Sequence, residues 1–197
     1  MKRALAALSS LFTALGTACA AAPAASPSAS PAPAASDLTR YLPLENDTVF
    51  SYATYIEETN ERGLAVFEIK RPRPELAELS LAGQVRRRYY FEPGGVRSAL
   101  GGYLLKLPLE QNAEWRGDDG GVKVTNVNLS VDVPAGKFSG CIQTVEQAQL
   151  GAATRKTTTV FCPGVGITVL EINAEQEGMS VLQRLSLKSF GPRFKAP

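Results

Sequence analysis

From about Asp37 onward, apolar residues recur at every second position in short runs rich in β-branched and aromatic side chains, and turn residues separate the runs. That period predicts antiparallel strands. Thr48 to Glu58 and Leu64 to Lys70 flank Asn60-Glu61-Arg62-Gly63 and predict a first hairpin. Gln84 to Glu92 and Val96 to Leu100 flank Pro93-Gly94-Gly95 and predict a second. Between Val122 and Val133 the apolar positions begin on the even side, with Val122 and Val124. They continue on the odd side from Val127, so a bulge or bend is expected near Thr125. Pro134-Ala135-Gly136 then turns the chain into a strand from Phe138 to Gln147. Glu75 to Ala82, entered by Pro74 and closed by Gly83, reads equally as a short helix or a loop. The expected class is all-β, with at most one short helix.

One pairing register follows from counting. Cys141 and Cys162 lie at equal distances on either side of Gly151-Ala152. If that pair is a two-residue hairpin turn with Gly first, as type II′ prefers, the thiols face each other. Alternation from Leu150 and Ala153 outward places them at a non-hydrogen-bonded pair, where Cα atoms lie about 4.5 Å apart, within disulfide range. The alternative is two buried free thiols. The outer half of this hairpin, Glu146 to Thr159, is polar on both faces and is expected to project into solvent.

A weak internal echo is also present. Leu42-Pro43-Leu44-Glu45, followed by Phe50, is matched by Leu107-Pro108-Leu109-Glu110, followed by Trp115. Each copy sets an apolar-Pro-apolar segment before a polar turn and a large aromatic. The two copies predict similarly built halves of one sheet. Phe50 and Trp115 are expected to be core anchors rather than a ligand platform.

The first 36 of the 197 residues have a different composition. Lys2 and Arg3 precede an apolar stretch from Ala4 to Leu15, so residues 1–18 read as an export signal, too short to span a bilayer. Leu15-Gly16-Thr17-Ala18-Cys19 resembles a bacterial lipobox, with its Leu one place early. That resemblance implies acylation of Cys19 and an N-terminal lipid in a membrane. Cleavage after Ala20 or Ala22 is the alternative and would give a secreted or soluble periplasmic protein. Three cysteines leave an odd thiol once Cys141 and Cys162 pair, and acylation would account for Cys19. Residues 19–36 are almost wholly Ala, Pro and Ser, the composition of a disordered tether with a reach of roughly 50 Å. Ala21 is not Asp, and resemblance to enterobacterial lipoproteins then implies outer-membrane delivery. Residues 37–197 suffice for a single core.

Charge and residue type narrow the chemistry. Removing Lys2 and Arg3 leaves 19 basic against 19 acidic residues, a balance with no global support for a nucleic-acid partner. There is no His, which removes histidine triads, imidazole metal sites and the usual neutral-pH base. Glu114, Asp118 and Asp119 among Gly117, Gly120 and Gly121 could offer oxygen ligands to calcium, but the spacing reads better as a solvated hairpin turn. Arg86-Arg87-Arg88 before Tyr89-Tyr90-Phe91 mixes cations with aromatics. Strand alternation sends Arg87 away from Arg86 and Arg88, so an exposed edge or solvated face is expected. Pro163-Gly164-Val165-Gly166 lacks the Lys and helix of a phosphate loop and reads as a turn. No catalytic residue, metal ligand or cofactor is expected.

The Leu-Pro-Leu-Glu segments before Phe50 and Trp115, Val133-Pro134-Ala135-Gly136-Lys137-Phe138 and Cys162-Pro163-Gly164-Val165-Gly166-Ile167 are similar to landmarks of a bacterial group of exported proteins and lipoproteins, including TapB-like ones. The resemblance implies a curved antiparallel sheet or incomplete barrel and supplies no catalytic residues. The functional expectation is a non-enzymatic, lipid-anchored envelope protein that binds a partner protein or an apolar, lipid-like ligand. The alternatives are a carboxylate-dependent hydrolase of cell-wall or carbohydrate material, using groups such as Glu114 and Asp118, and a structural spacer.

Overall fold

The computed structural model describes residues 36–193. The signal segment, Cys19 and the tether lie outside the described residues, except that Ser36 opens a helix. That helix, α1 (Ser36–Tyr41), precedes twelve strands: β1 (Thr48–Ile56), β2 (Glu61–Arg73), β3 (Leu76–Leu81), β4 (Gln84–Glu92), β5 (Gly95–Ser98), β6 (Tyr103–Lys106), β7 (Glu114–Arg116), β8 (Gly121–Val133), β9 (Gly136–Leu150), β10 (Ala153–Cys162), β11 (Gly166–Gln176) and β12 (Met179–Pro192). They form one antiparallel sheet in the order β6-β5-β4-β3-β2-β1-β12-β11-β10-β9-β8-β7. Strands consecutive in sequence pair with each other except β6 and β7, and β1 pairs with β12. The result is an up-and-down, nearly closed barrel with one seam, between β6 and β7.

Both predicted hairpins form, the second turning at Pro93-Gly94. The first turns at residues 57–60 rather than at Asn60-Glu61-Arg62-Gly63, because Glu61, Arg62 and Gly63 pair with Ile56, Tyr55 and Thr54 in the ladder. The face switch in β8 is a register shift in which Thr125 is the extra residue between Val124, opposite Thr144, and Asn126, opposite Gln143. Val122 and Val124 are buried on one side of it, and Val127, Leu129 and Val131 pack against the core on the other. An inserted residue is what transfers the inward set from one parity to the other.

One expected element is corrected. Glu75 to Ala82 is neither helix nor loop, because Leu76–Leu81 is β3, paired with β2 and β4. Its alternation is masked in the sequence because Leu76 and Ser80, on the opposite face to Ala77 and Leu79, are buried too. Two-sided pairing decides the conformation where local propensity is ambiguous. The Arg86-Arg87-Arg88 part of β4 is exposed and ladders with β3 alone, because β5 pairs only from Tyr89 to Glu92, so the expected exposed edge is present there.

The hairpin register of β9 and β10 is as counted. Leu150 faces Ala153, Ile142 faces Phe161, and Gly151 takes a positive φ of 64°. Cys141 and Cys162 form a disulfide with Cα atoms 4.2 Å apart. The hairpin tip from Gln149 to Ala152 is exposed, but Ala148 and Thr159 nearer its base are buried. The projecting part is therefore shorter than Glu146 to Thr159.

The echo marks the start of each half of the sheet. Asp47 and Asn112 stand at matching places in the two copies, and both take positive φ, 56° and 68°. Each donates its backbone N–H to the second strand of its own half, Asp47 to Ile69 O at 3.0 Å and Asn112 to Val124 O at 2.9 Å. Phe50 and Trp115, the aromatics that follow, are both buried. Leu38, Leu42 and Leu44, from α1 and the segment after it, are buried at the barrel end where β1 begins. Gly164 N–H bonds Arg40 O at 2.7 Å, and Tyr41 donates its hydroxyl to Gly140 O at 3.1 Å. These bonds hold the segment across that end as a floor.

Candidate functional site

Inside the barrel, above Leu42 and Leu44, lies a cavity of about 470 Å³. Its walls are Phe50 and Tyr52 of β1, Phe67 of β2, Leu79 and Leu81 of β3, Leu104 of β6, Ile167 and Leu170 of β11, and Leu185 of β12. The volume falls within the ~300–1,000 Å³ usual for small-molecule sites, and the predominantly apolar lining is of their type. No carboxylate lines it.

The only charged groups on its lining are Arg86 and Arg87, both solvent-exposed at the start of β4. Because consecutive strands alternate in direction, this is the end opposite the floor. Arg87 lies directly across from Leu79, and side chains of such a pair share a face. Plain alternation would send Arg86 outward. The pairing slips there, Ser80 facing Val85 and Leu79 facing Arg87, so Arg86 is the extra residue of a bulge and joins Arg87 on the cavity. Arg88 instead pairs with Glu78 at 2.8 Å. Three adjacent arginines thus divide into two at the cavity mouth and one in an ion pair. The sequence contained all three but not the bulge.

Two tyrosines tie the wall together. Tyr52 donates its hydroxyl to Ile167 O at 2.8 Å and meets the Phe67 ring edge-on at 5.8 Å. Burial raises its pKa well above the ordinary phenol value. Tyr89, two residues beyond Arg87 and on the same face, also lines the cavity. Burial pushes its pKa up to about 12, against the opposing pull of the Arg87 charge, while Asp118 adds to the rise.

The candidate carboxylates serve separate tasks. Glu114 is exposed and pairs with Lys123 at 3.2 Å. Asp119 pairs with Arg155. Asp118 closes the seam, accepting from Ser98 Oγ and from Gly102 N–H at 3.1 Å. Glu146, which the sequence did not single out, accepts the backbone N–H groups of Asp119 at 2.9 Å and Gly120 at 3.0 Å. The Gly117–Gly120 turn is the hairpin turn expected there. Among the described residues no group of three or more Cys, Asp or Glu is placed to hold a metal ion. Pro163-Gly164-Val165 is the turn between β10 and β11.

No family model matches the chain. No curated protein matches it either. Among solved structures it is similar to a candidate exported protein with a YmcC-like fold from Bacteroides fragilis, with 11% identity and a TM-score of 0.49, over 77% of this chain and 98% of that one. It is also similar to a candidate lipoprotein from Parabacteroides distasonis, with 9% identity and a TM-score of 0.43, over 77% of this chain and 98% of that one. At these scores neither likeness bears on what this chain does.

Proposed function

We propose that the protein is a binding module of the bacterial cell envelope whose barrel holds a small apolar ligand. The cavity is the observation that carries this reading: a half-open, predominantly apolar space within the barrel, bordered by the packed core. A spacer has no use for such a space, since filling it with larger side chains would add stability. The envelope half of the reading rests on Lys2 and Arg3, the apolar run to Leu15, the lipobox-like segment ending at Cys19, and the Cys141–Cys162 disulfide, a bond of oxidising compartments. Acylated Cys19 would hold the barrel at a membrane.

Two experiments test the halves separately. The neutral fluorophore N-phenyl-1-naphthylamine, titrated into the purified protein, is expected to brighten and saturate at one site per chain; no saturable signal would overturn the ligand reading. Mass spectrometry of the chain from its own membranes, with and without globomycin, is expected to find acyl groups on Cys19 and an unprocessed precursor under the drug. An unmodified Cys19, or processing after Ala20 or Ala22, would overturn the anchor.

A further inference from the structure

We infer that the ligand is a single-chain amphiphile with an anionic head, its alkyl chain in the barrel and its carboxylate or phosphate held by Arg86 and Arg87. This rests on the reading of the cavity as a ligand site and adds the class of ligand. Three observations carry it. The cavity is apolar from the floor at Leu42 to Leu81, so what lies inside must be hydrocarbon-like. Its only charged lining is two guanidinium groups at one end, which gives the site a direction: tail inward, anion outward. Finally, those two arginines are not committed elsewhere. Arg88 is paired with Glu78 and Arg97 with Glu92, whereas neither Arg86 nor Arg87 forms an ion pair among the described residues.

A cation beside apolar walls can also arise because arginine stems cover hydrocarbon while the heads stay in water. The bulge argues for more than that. A regular β4 would place only Arg87 on the cavity; the slip between Leu79 and Ser80 adds Arg86 beside it. Two adjacent guanidinium groups give a fork of donors matched to carboxylate or phosphate oxygens. The cavity volume suits one chain rather than two.

The test compares dodecanoate, dodecyl phosphate and dodecanol, all below micelle formation, by calorimetry or displacement of N-phenyl-1-naphthylamine, in the full chain and in R86Q/R87Q. The two anions are expected to bind on the order of tenfold or more tightly than the alcohol, as a charge-assisted contact implies. In R86Q/R87Q that preference should vanish while dodecanol binding persists, and raised salt should weaken only the anions. Anions and alcohol binding alike in the unaltered chain, or a preference that survives R86Q/R87Q, would overturn the headgroup assignment and leave the apolar site standing. Failure of all three to bind would instead overturn the ligand reading itself. The relative affinities of dodecanoate and dodecyl phosphate separate a fatty-acid head from a phosphate head. Circular dichroism checks the fold of the double variant, and R87Q alone, expected to lose part of the preference, serves if the double variant unfolds.

Discussion

Trp115 donates its indole N–H to the carbonyl of Tyr103 at 3.0 Å, linking β7 to β6 across the one place where neighbouring strands of the barrel share no ladder. Beside it, Gly102 lies so close to the chain at Gly117 and Asp118 that an added Cβ would fall within their backbone. Asp118 completes the closure by accepting from Ser98 and Gly102. Side chains and one tight glycine thus replace the missing backbone bonds.

Trp115→Phe keeps most of the buried ring but loses the bond to Tyr103, and is expected to cost about 1 kcal/mol in urea unfolding. Gly102→Ala should cost more, ~1–3 kcal/mol, because the clash is with main chain, which cannot rotate away. A Gly102→Ala variant as stable as the parent would show that the two turns are not in contact.

The disulfide closes a loop of 21 residues between two fully buried sulfur atoms. Replacing both Cys141 and Cys162 by Ala is expected to lower stability by about 3 kcal/mol on the chain-entropy account. Burial also predicts that dithiothreitol leaves the bond intact in the native state and cleaves it as urea opens the fold. Alkylation of free thiols followed by mass measurement reads both outcomes.

Tyr52 and Tyr89 impose an alkaline limit. Their folded pKa values lie above the ordinary 10, with Tyr89 at about 12, because burial disfavours the phenolate. Between pH 10 and about 12 the unfolded chain releases protons that the folded chain retains. The stability these groups contribute is therefore complete below pH 10 and lost as pH rises toward 12. Absorbance at the tyrosinate band should show Tyr52 and Tyr89 titrating late, together with unfolding. Tyr89→Phe should reduce that loss, and Arg87→Gln should move Tyr89 further upward by removing a cation that favours its charged form.

Enlarging a wall residue tests the cavity without touching its rim. Leu170→Trp places a larger ring in space that is empty in the structure. It is expected to abolish uptake of N-phenyl-1-naphthylamine with no loss in thermal midpoint. Loss of midpoint with retained uptake would mean that Leu170 faces packed core.

The echoed turns predict a matched pair of outcomes. Asn112 takes a left-handed φ of 68°, so Asn112→Gly should be tolerated while Asn112→Ala costs about 1 kcal/mol. Asp47, at 56°, should behave the same way. Unfolding midpoints of the four variants check this.

The sequence by itself determined the strand class, both early hairpins, the bulge at Thr125 and the facing of Cys141 and Cys162. Those features are set by period-two alternation and turn residues, which act over a few positions. It also marked the two half-sheets through the Leu-Pro-Leu-Glu echo, because each half needs the same entry into its first strand. Tertiary structure alone decided the rest. Leu76–Leu81 became a strand because β2 and β4 offer it partners on both sides. Phe50 lines a cavity, and Trp115 guards a seam, only because distant strands close on one another. Arg86 and Arg87 share a mouth because the pairing of β3 with β4 slips by one residue, and a slip belongs to two strands at once. No pattern along a single strand records that event, so the charged rim of the site could not be read until the barrel was closed.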